Sequence, residues 1–149
     1  MRLECAMVCD AVTVRDGLLH ILGGGIGRIP RIGFPATLDN EVALRLSMTP
    51  EEVKARHKIE IRVLTGTGAI ASTVTGEFAT ALAEGRPAST DVALAIPVSL
   101  RQVVVPAPDR YEIEIVVDEQ SLTKIPVDVV LASPPPTPTP PVAASPPAA

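Results

Sequence analysis

In the heptapeptide KIEIRVL, apolar Ile59, Ile61 and Val63 alternate with charged Lys58, Glu60 and Arg62. A period of two sends successive side chains to opposite faces of an extended chain, so one face of this segment belongs to a core and the other to water. The same residues wound into a helix would be scattered around its circumference. The alternation returns in VALAIPVSL, with Val92, Leu94, Ile96 and Val98, and in YEIEIVV, with Tyr111, Ile113, Ile115 and Val117. Further extended segments are expected near Leu3 to Cys9, Leu18 to Leu22, Glu41 to Met48, Ile70 to Phe78 and Leu122 to Leu131. The total is about eight short strands.

Turn chemistry separates these segments. Asp16-Gly17 in VRDGLL and Gly66 to Gly68 in LTGTGAI suit tight hairpins, because glycine accepts positive φ without strain. The one good helix signal is TPEEVKARH, with Thr49 as N-cap, Pro50 at the first helical position and Glu52 where a capping box places it, enough for about two turns. Pro97 cannot donate to a ladder and marks its segment as an edge or a bulge. Tyr111 opens a strand after a turn, the placement of a tyrosine corner, whose hydroxyl bonds back to nearby backbone. Together these features predict an all-β fold, an immunoglobulin-like antiparallel β-sandwich with one short helix, over residues 1–132. From Ser133 the chain reads SPPPTPTPPVAASPPAA, with half of all sixteen prolines and no charge. Such a segment can neither join a sheet nor build a core, so 133–149 is expected to be a disordered tail. Its Pro-x-x-Pro spacing also suits a docking segment, though a plain extension is the commoner meaning.

Composition bears on partners. The net charge is −4 and only 2% of residues are aromatic. A phosphate backbone finds no basic field here and bases find almost nothing to stack on, so nucleic acid is not expected as a partner. Glu4 and Asp10 interrupt the apolar opening before it reaches the length of a signal-peptide core, and no run approaches the roughly 20 apolar residues of a membrane span. A soluble cytoplasmic protein with no membrane association is the expectation.

The stretch CDAVTVRDGLLHILGGGIGRIP gathers most of the candidate chemistry. Cys5 and Cys9 would share one face of a helix, ready for a metal, but on a strand their Cα atoms stand about 13 Å apart at roughly 3.3 Å per residue. They then read, with Leu3 and Met7, as one apolar stripe, and neither disulfide nor metal is expected. Cys9 and Asp10 fall on opposite faces of a strand, so at most one shares a pocket with His20, which reads as a half-buried strand residue. His57 is expected at the exposed start of its strand. Glu112 and Glu114 read as a solvated strand face and Asp118-Glu119 as a hairpin turn. No catalytic residue, no cofactor and no enzymatic activity is predicted.

The glycine run fits neither nucleotide fingerprint: counted from Gly23 the sixth position is Arg28, and Pro30 and Pro35 bar a following helix. What survives is a backbone-exposed loop of Gly23, Gly24, Gly25, Arg28 and Arg31, able to hold an anion or a partner's carboxylate. The plainer alternative is a strand end or crossover where a side chain would clash.

The segments CDAVTVRDGLLHILGGG, HKIEIRVLTGTG and APDRYEIEIVVDEQSLTKIPVDVV together resemble an uncharacterised family of bacterial domains of unknown function, common in actinobacteria. The resemblance implies an immunoglobulin-like sandwich of unassigned activity. The function expected on these grounds is a non-catalytic interaction module binding a protein partner or a second copy of itself. A domain binding a small anionic ligand at Gly23 to Arg31 is the alternative.

Overall fold

Each of the alternating segments is a strand. The computed structural model describes residues 1–81 and 90–133. The expected tail therefore lies almost wholly outside the described residues. Among those described, the elements run β1 (Arg2–Cys9), β2 (Ala11–Arg15), β3 (Leu18–Leu22), β4 (Arg28–Arg31), β5 (Ala36–Thr37), β6 (Glu41–Met48), α1 (Pro50–Val53), β7 (His57–Leu64), β8 (Ile70–Phe78), β9 (Val92–Ser99), β10 (Val104–Val105), β11 (Asp109–Val117) and β12 (Gln120–Leu131). The described residues are predominantly β with one short helix. Their twelve strands exceed the eight or so expected, the additions being β2, β4, β5 and β10.

Two larger sheets carry the architecture, one of three strands ordered β1-β6-β9 and one of five ordered β4-β12-β11-β7-β8. They share one core. Ile59, Ile61 and Val63 of β7 and Tyr111, Ile113, Ile115 and Val117 of β11 join Val42, Leu44 and Leu46 of β6 in a single buried cluster. Each such side chain contributes about 1.5–3 kcal/mol on leaving water. The opposite face of β7 and β11 is polar, as the alternation requires. There Arg62 approaches Glu114 at 3.8 Å and Lys124 approaches Glu112 at 3.4 Å.

The turns follow their residues. Asp16 and Gly17 join β2 to β3 with φ of 53° and 73°, and Asp118 and Glu119 join β11 to β12 with φ of 48° and 68°. Two consecutive positive φ values are what a two-residue hairpin loop demands to match the twist of its strands. Thr49 caps α1, accepting from the Glu52 amide while the Glu52 carboxylate accepts from the Thr49 amide. The helix is a single turn, shorter than expected, because Lys54 already serves as its C-cap. Tyr111 donates its hydroxyl to the Ala107 carbonyl at 2.7 Å, the corner that its position predicted.

Three features depart from the expected pattern. The sheets are not wholly antiparallel, since β4 runs parallel to β12, pairing Ile29 with Val129. The β1 register against β6 shifts between Leu3 and Cys5. An extra residue at Glu4 reverses the facing of everything after it, so Leu3, Ala6 and Val8 meet the main core while Met7 and Cys9 face away. The supposed single stripe is thus divided between two faces. Finally, the β2–β3 hairpin forms its own two-stranded sheet. It lays Val12, Leu19 and Ile21 against Met7, Cys9 and Ala43 in a second cluster, which covers the outer face of the three-stranded sheet.

Candidate functional site

The glycine run is where the chain leaves the β2–β3 hairpin and passes the end of β1. Asp10 donates its amide to the Leu22 carbonyl, and Gly25 and Ile26 both donate to the Val8 carbonyl at 2.9 and 3.0 Å. Gly23 has φ of 60°, and a Cβ there would stand 2.1 Å from the Asp10 carboxylate oxygen; at Gly24 it would stand 2.8 Å from the Met7 sulfur. These glycines permit close approach of two pieces of backbone. A cleft of about 410 Å³ does open here, bordered by Asp10, the glycines, Arg28, Arg31 and Asn40.

Its charges do not converge on a vacant centre. Arg31 donates from Nε to the Thr37 carbonyl at 2.7 Å, from Nη1 to the Pro30 carbonyl at 2.9 Å and from Nη2 to the Leu38 carbonyl. The guanidinium thereby ties β4 to the strand leading into β6. Arg28 is exposed on β4, and Asp10 brings a carboxylate to the same cleft. An anion arriving here would meet one available arginine and one like charge.

The other candidates are separated. Cys9 is wholly buried beneath the hairpin, and its thiol donates to the Glu41 carbonyl at 3.5 Å. Burial, then the Glu41 and Asp10 charges, push its pKa up and keep it a thiol. Cys5 is half-buried on the same strand. His20 is exposed on β3 opposite Thr13, not half-buried as expected, because the hairpin turns that face outward. Among the described residues no three His, Cys, Asp or Glu side chains meet as a metal site would need.

His57 was expected at an exposed strand start and is instead 7% exposed. Its ring stacks on Phe78 with centroids 5.3 Å apart. Nδ1 lies 2.6 Å from Asp118 and Nε2 lies 2.8 Å from the Glu52 carbonyl. The pair closes the α1 turn onto the β11–β12 hairpin, and both ring nitrogens are occupied.

A second concavity was not foreseen. A cleft of about 530 Å³ opens between β8 and β9, the strands that end the two larger sheets on the same side. Its wall is apolar, formed by Ile59, Ile61, Val74, Phe78, Ile96 and Val98, with exposed Glu77, Arg101 and Gln102 also bordering it. Pro97 was the sequence signal for the β9 edge. Nothing local in the sequence set β8 beside it.

A family described as of unknown function (DUF6941) matches residues 4–130. The chain belongs to this family. The match runs from the β1 bulge to Val130 near the end of β12, so both clefts and the His57–Asp118 pair lie within the DUF6941 domain. Comparison with curated proteins and with solved structures finds no match. Among the described residues of this DUF6941 chain, no helix is long and apolar enough to cross a membrane.

Proposed function

We propose that this DUF6941 chain is a non-catalytic, immunoglobulin-like binding module that receives protein on its β8–β9 side. The observation that carries this reading is the apolar cleft of about 530 Å³ between two sheet-terminal strands. Extended polypeptide suits such a place: backbone groups on a strand edge supply hydrogen bonds, and side-chain pockets beneath supply selectivity. The Tyr111 corner supports the immunoglobulin-like assignment. The chemistry-bearing residues favour binding over catalysis, because Cys9 is buried and protonated and both nitrogens of His57 are already bonded.

A small anion at Gly23 to Arg31 is the weaker alternative, since Arg31 is engaged by carbonyls and Asp10 faces the same cleft. The deciding experiment compares Ile96→Ser, inside the β8–β9 cleft, with Leu22→Ser on the distant hairpin. A protein, whether another chain or a second copy, should bind the natural sequence and Leu22→Ser and be lost with Ile96→Ser, all three unfolding cooperatively. Protein binding indifferent to Ile96 would overturn the reading.

A further inference from the structure

The amide of Asp118 donates to the Lys58 carbonyl at 3.0 Å, so Lys58 turns its backbone groups toward β11. Alternation then turns those of Ile59, Ile61 and Val63 toward β8, where their partners are Gly76, Val74 and Ser72. The intervening Thr73, Thr75 and Glu77 point their amides and carbonyls outward from the last strand of the five-stranded sheet.

Every other edge of the two larger sheets carries a device against pairing. β1 has its bulge with Arg2 and Glu4, β9 has Pro97, and β4 is four residues long and contains Pro30. β8 has none of these along its centre. It is nine residues long, IASTVTGEF, without proline, lysine or arginine, and its register shift lies near Ile70 at its start. Among the described residues β8 pairs with β7 alone, the two-residue β10 coming near it without joining its ladder, and an edge left this way is a template for another strand.

We propose that the strand taken up at this edge is β8 of a second copy, pairing antiparallel about Val74. This inference rests on the reading of the β8–β9 side as a protein-binding surface and names the partner. The pattern is self-complementary in that register. Val74 meets Val74, Thr73 meets Thr75, Ser72 meets Gly76, Ile70 meets Phe78, and Glu77, the strand's one charge, meets Ala71. Threonine pairs and apolar pairs are favourable opposite one another, and the two Glu77 side chains stand about 20 Å apart, six residues at roughly 3.4 Å each. The register also respects the backbone, since the outward groups of Thr73 and Thr75 bond each other's strand while Val74 occupies the non-hydrogen-bonded position.

That position provides the test. Non-hydrogen-bonded partners have Cα atoms about 4.5 Å apart, within disulfide reach. Val74→Cys in the full chain should cross-link to its own copy under mild oxidation, whereas Thr73→Cys and the natural sequence should not. Light scattering should find a dimer for the natural chain and a monomer for Thr73→Lys/Thr75→Lys, in which exposed like charges oppose one another. Circular dichroism should report the same fold for both. A monomer at every concentration with no Val74→Cys cross-link overturns the inference. If Ile96→Ser still abolishes binding of a different protein, the proposed function survives that failure; if no cleft-dependent protein exists, both fall. A dimer that persists with the lysines and lacks the cross-link also overturns it, by placing self-association on another surface.

Discussion

His57 Nδ1 lies 2.6 Å from the carboxylate of Asp118, its partner across 61 positions of sequence. The other ring nitrogen faces the Glu52 carbonyl, which can only accept, so the arrangement in which both nitrogens donate is that of the imidazolium, the form held below the raised pKa of the ring. The hydrogen bond to Asp118 holds the His57 pKa above its ordinary 6.5 against the opposing effect of burial. Asp118 is in turn held below its ordinary 3.8, chiefly by His57. The remaining charge nearby is the Glu52 carboxylate, bonded to Thr49 and to the Met1 ammonium, with Lys58 donating its amide to Asp118.

The pH dependence of stability follows. A raised histidine pKa contributes stability that is complete below about 6.5 and is lost as pH rises through the folded value. A lowered aspartate pKa contributes above about 3.8 and loses its contribution as pH falls through its folded value. The pair should therefore stabilise most between those two ordinary values. Asp118→Asn should cost about 1–2 kcal/mol at pH 5.5, the lower part of the range for charged hydrogen bonds because Asp118 is half exposed. Urea midpoints across pH measure this. An alkaline decline of equal slope in His57→Gln would show that another group is responsible.

Gly23 offers a local test of the crossover. Its φ of 60° disfavours any L side chain by about 1–2 kcal/mol, and a Cβ would collide with Asp10. Gly23→Ala should lower the melting temperature, while Gly27→Ala, with nothing within 4 Å, should leave it nearly unchanged. Adding Asp10→Ala to Gly23→Ala should recover only the collision part. Equal melting temperatures for the two glycine variants would remove the close-approach account.

What was legible in the sequence was what is local. Ile59, Ile61 and Val63 declare their facing by spacing alone, as do the residues after Tyr111, and Asp16-Gly17 declares its turn. The bulge at Glu4 was invisible because a single inserted residue changes no composition, yet it moves Cys5, Met7 and Cys9 off the main core. β4 was hidden by Pro30, tolerable only because β4 lies at an edge. His57 was misread because its burial is decided by Asp118 and Phe78, which only the sheet pairing brings to it. The β8–β9 cleft depends on where two strands fall in two separate sheets, which no short pattern records.

Tyr111 is almost wholly buried, and its hydroxyl finds the Ala107 carbonyl. Burial raises its pKa, so the group remains a neutral donor through the physiological range. Tyr111→Phe keeps the ring in the core and removes only that bond, leaving the carbonyl without its donor. A loss of about 0.5–1.5 kcal/mol is expected. It should appear as a lower denaturant midpoint with unchanged slope, since the surface exposed on unfolding is the same. An undiminished midpoint would show that water replaces the hydroxyl at no cost and that the corner does not stabilise the loop before β11.

The two thiols should part company chemically because the β1 bulge divides the strand before them and the hairpin covers only one. Cys9 is inaccessible and has its pKa raised by burial and by Glu41 and Asp10, so neither exposure nor thiolate fraction favours reaction. Cys5 is half-buried at the part of β1 opposite Arg45. Iodoacetamide applied to the folded protein should therefore label Cys5 first, and Cys9 only at the rate of hairpin opening or unfolding. Leu19→Ala, which thins the β2–β3 cover over Cys9, should accelerate the second labelling while leaving the first unchanged. Peptide mass spectrometry over time separates the two. Equal native rates at both positions would mean that the hairpin does not stay closed over the outer face of the three-stranded sheet.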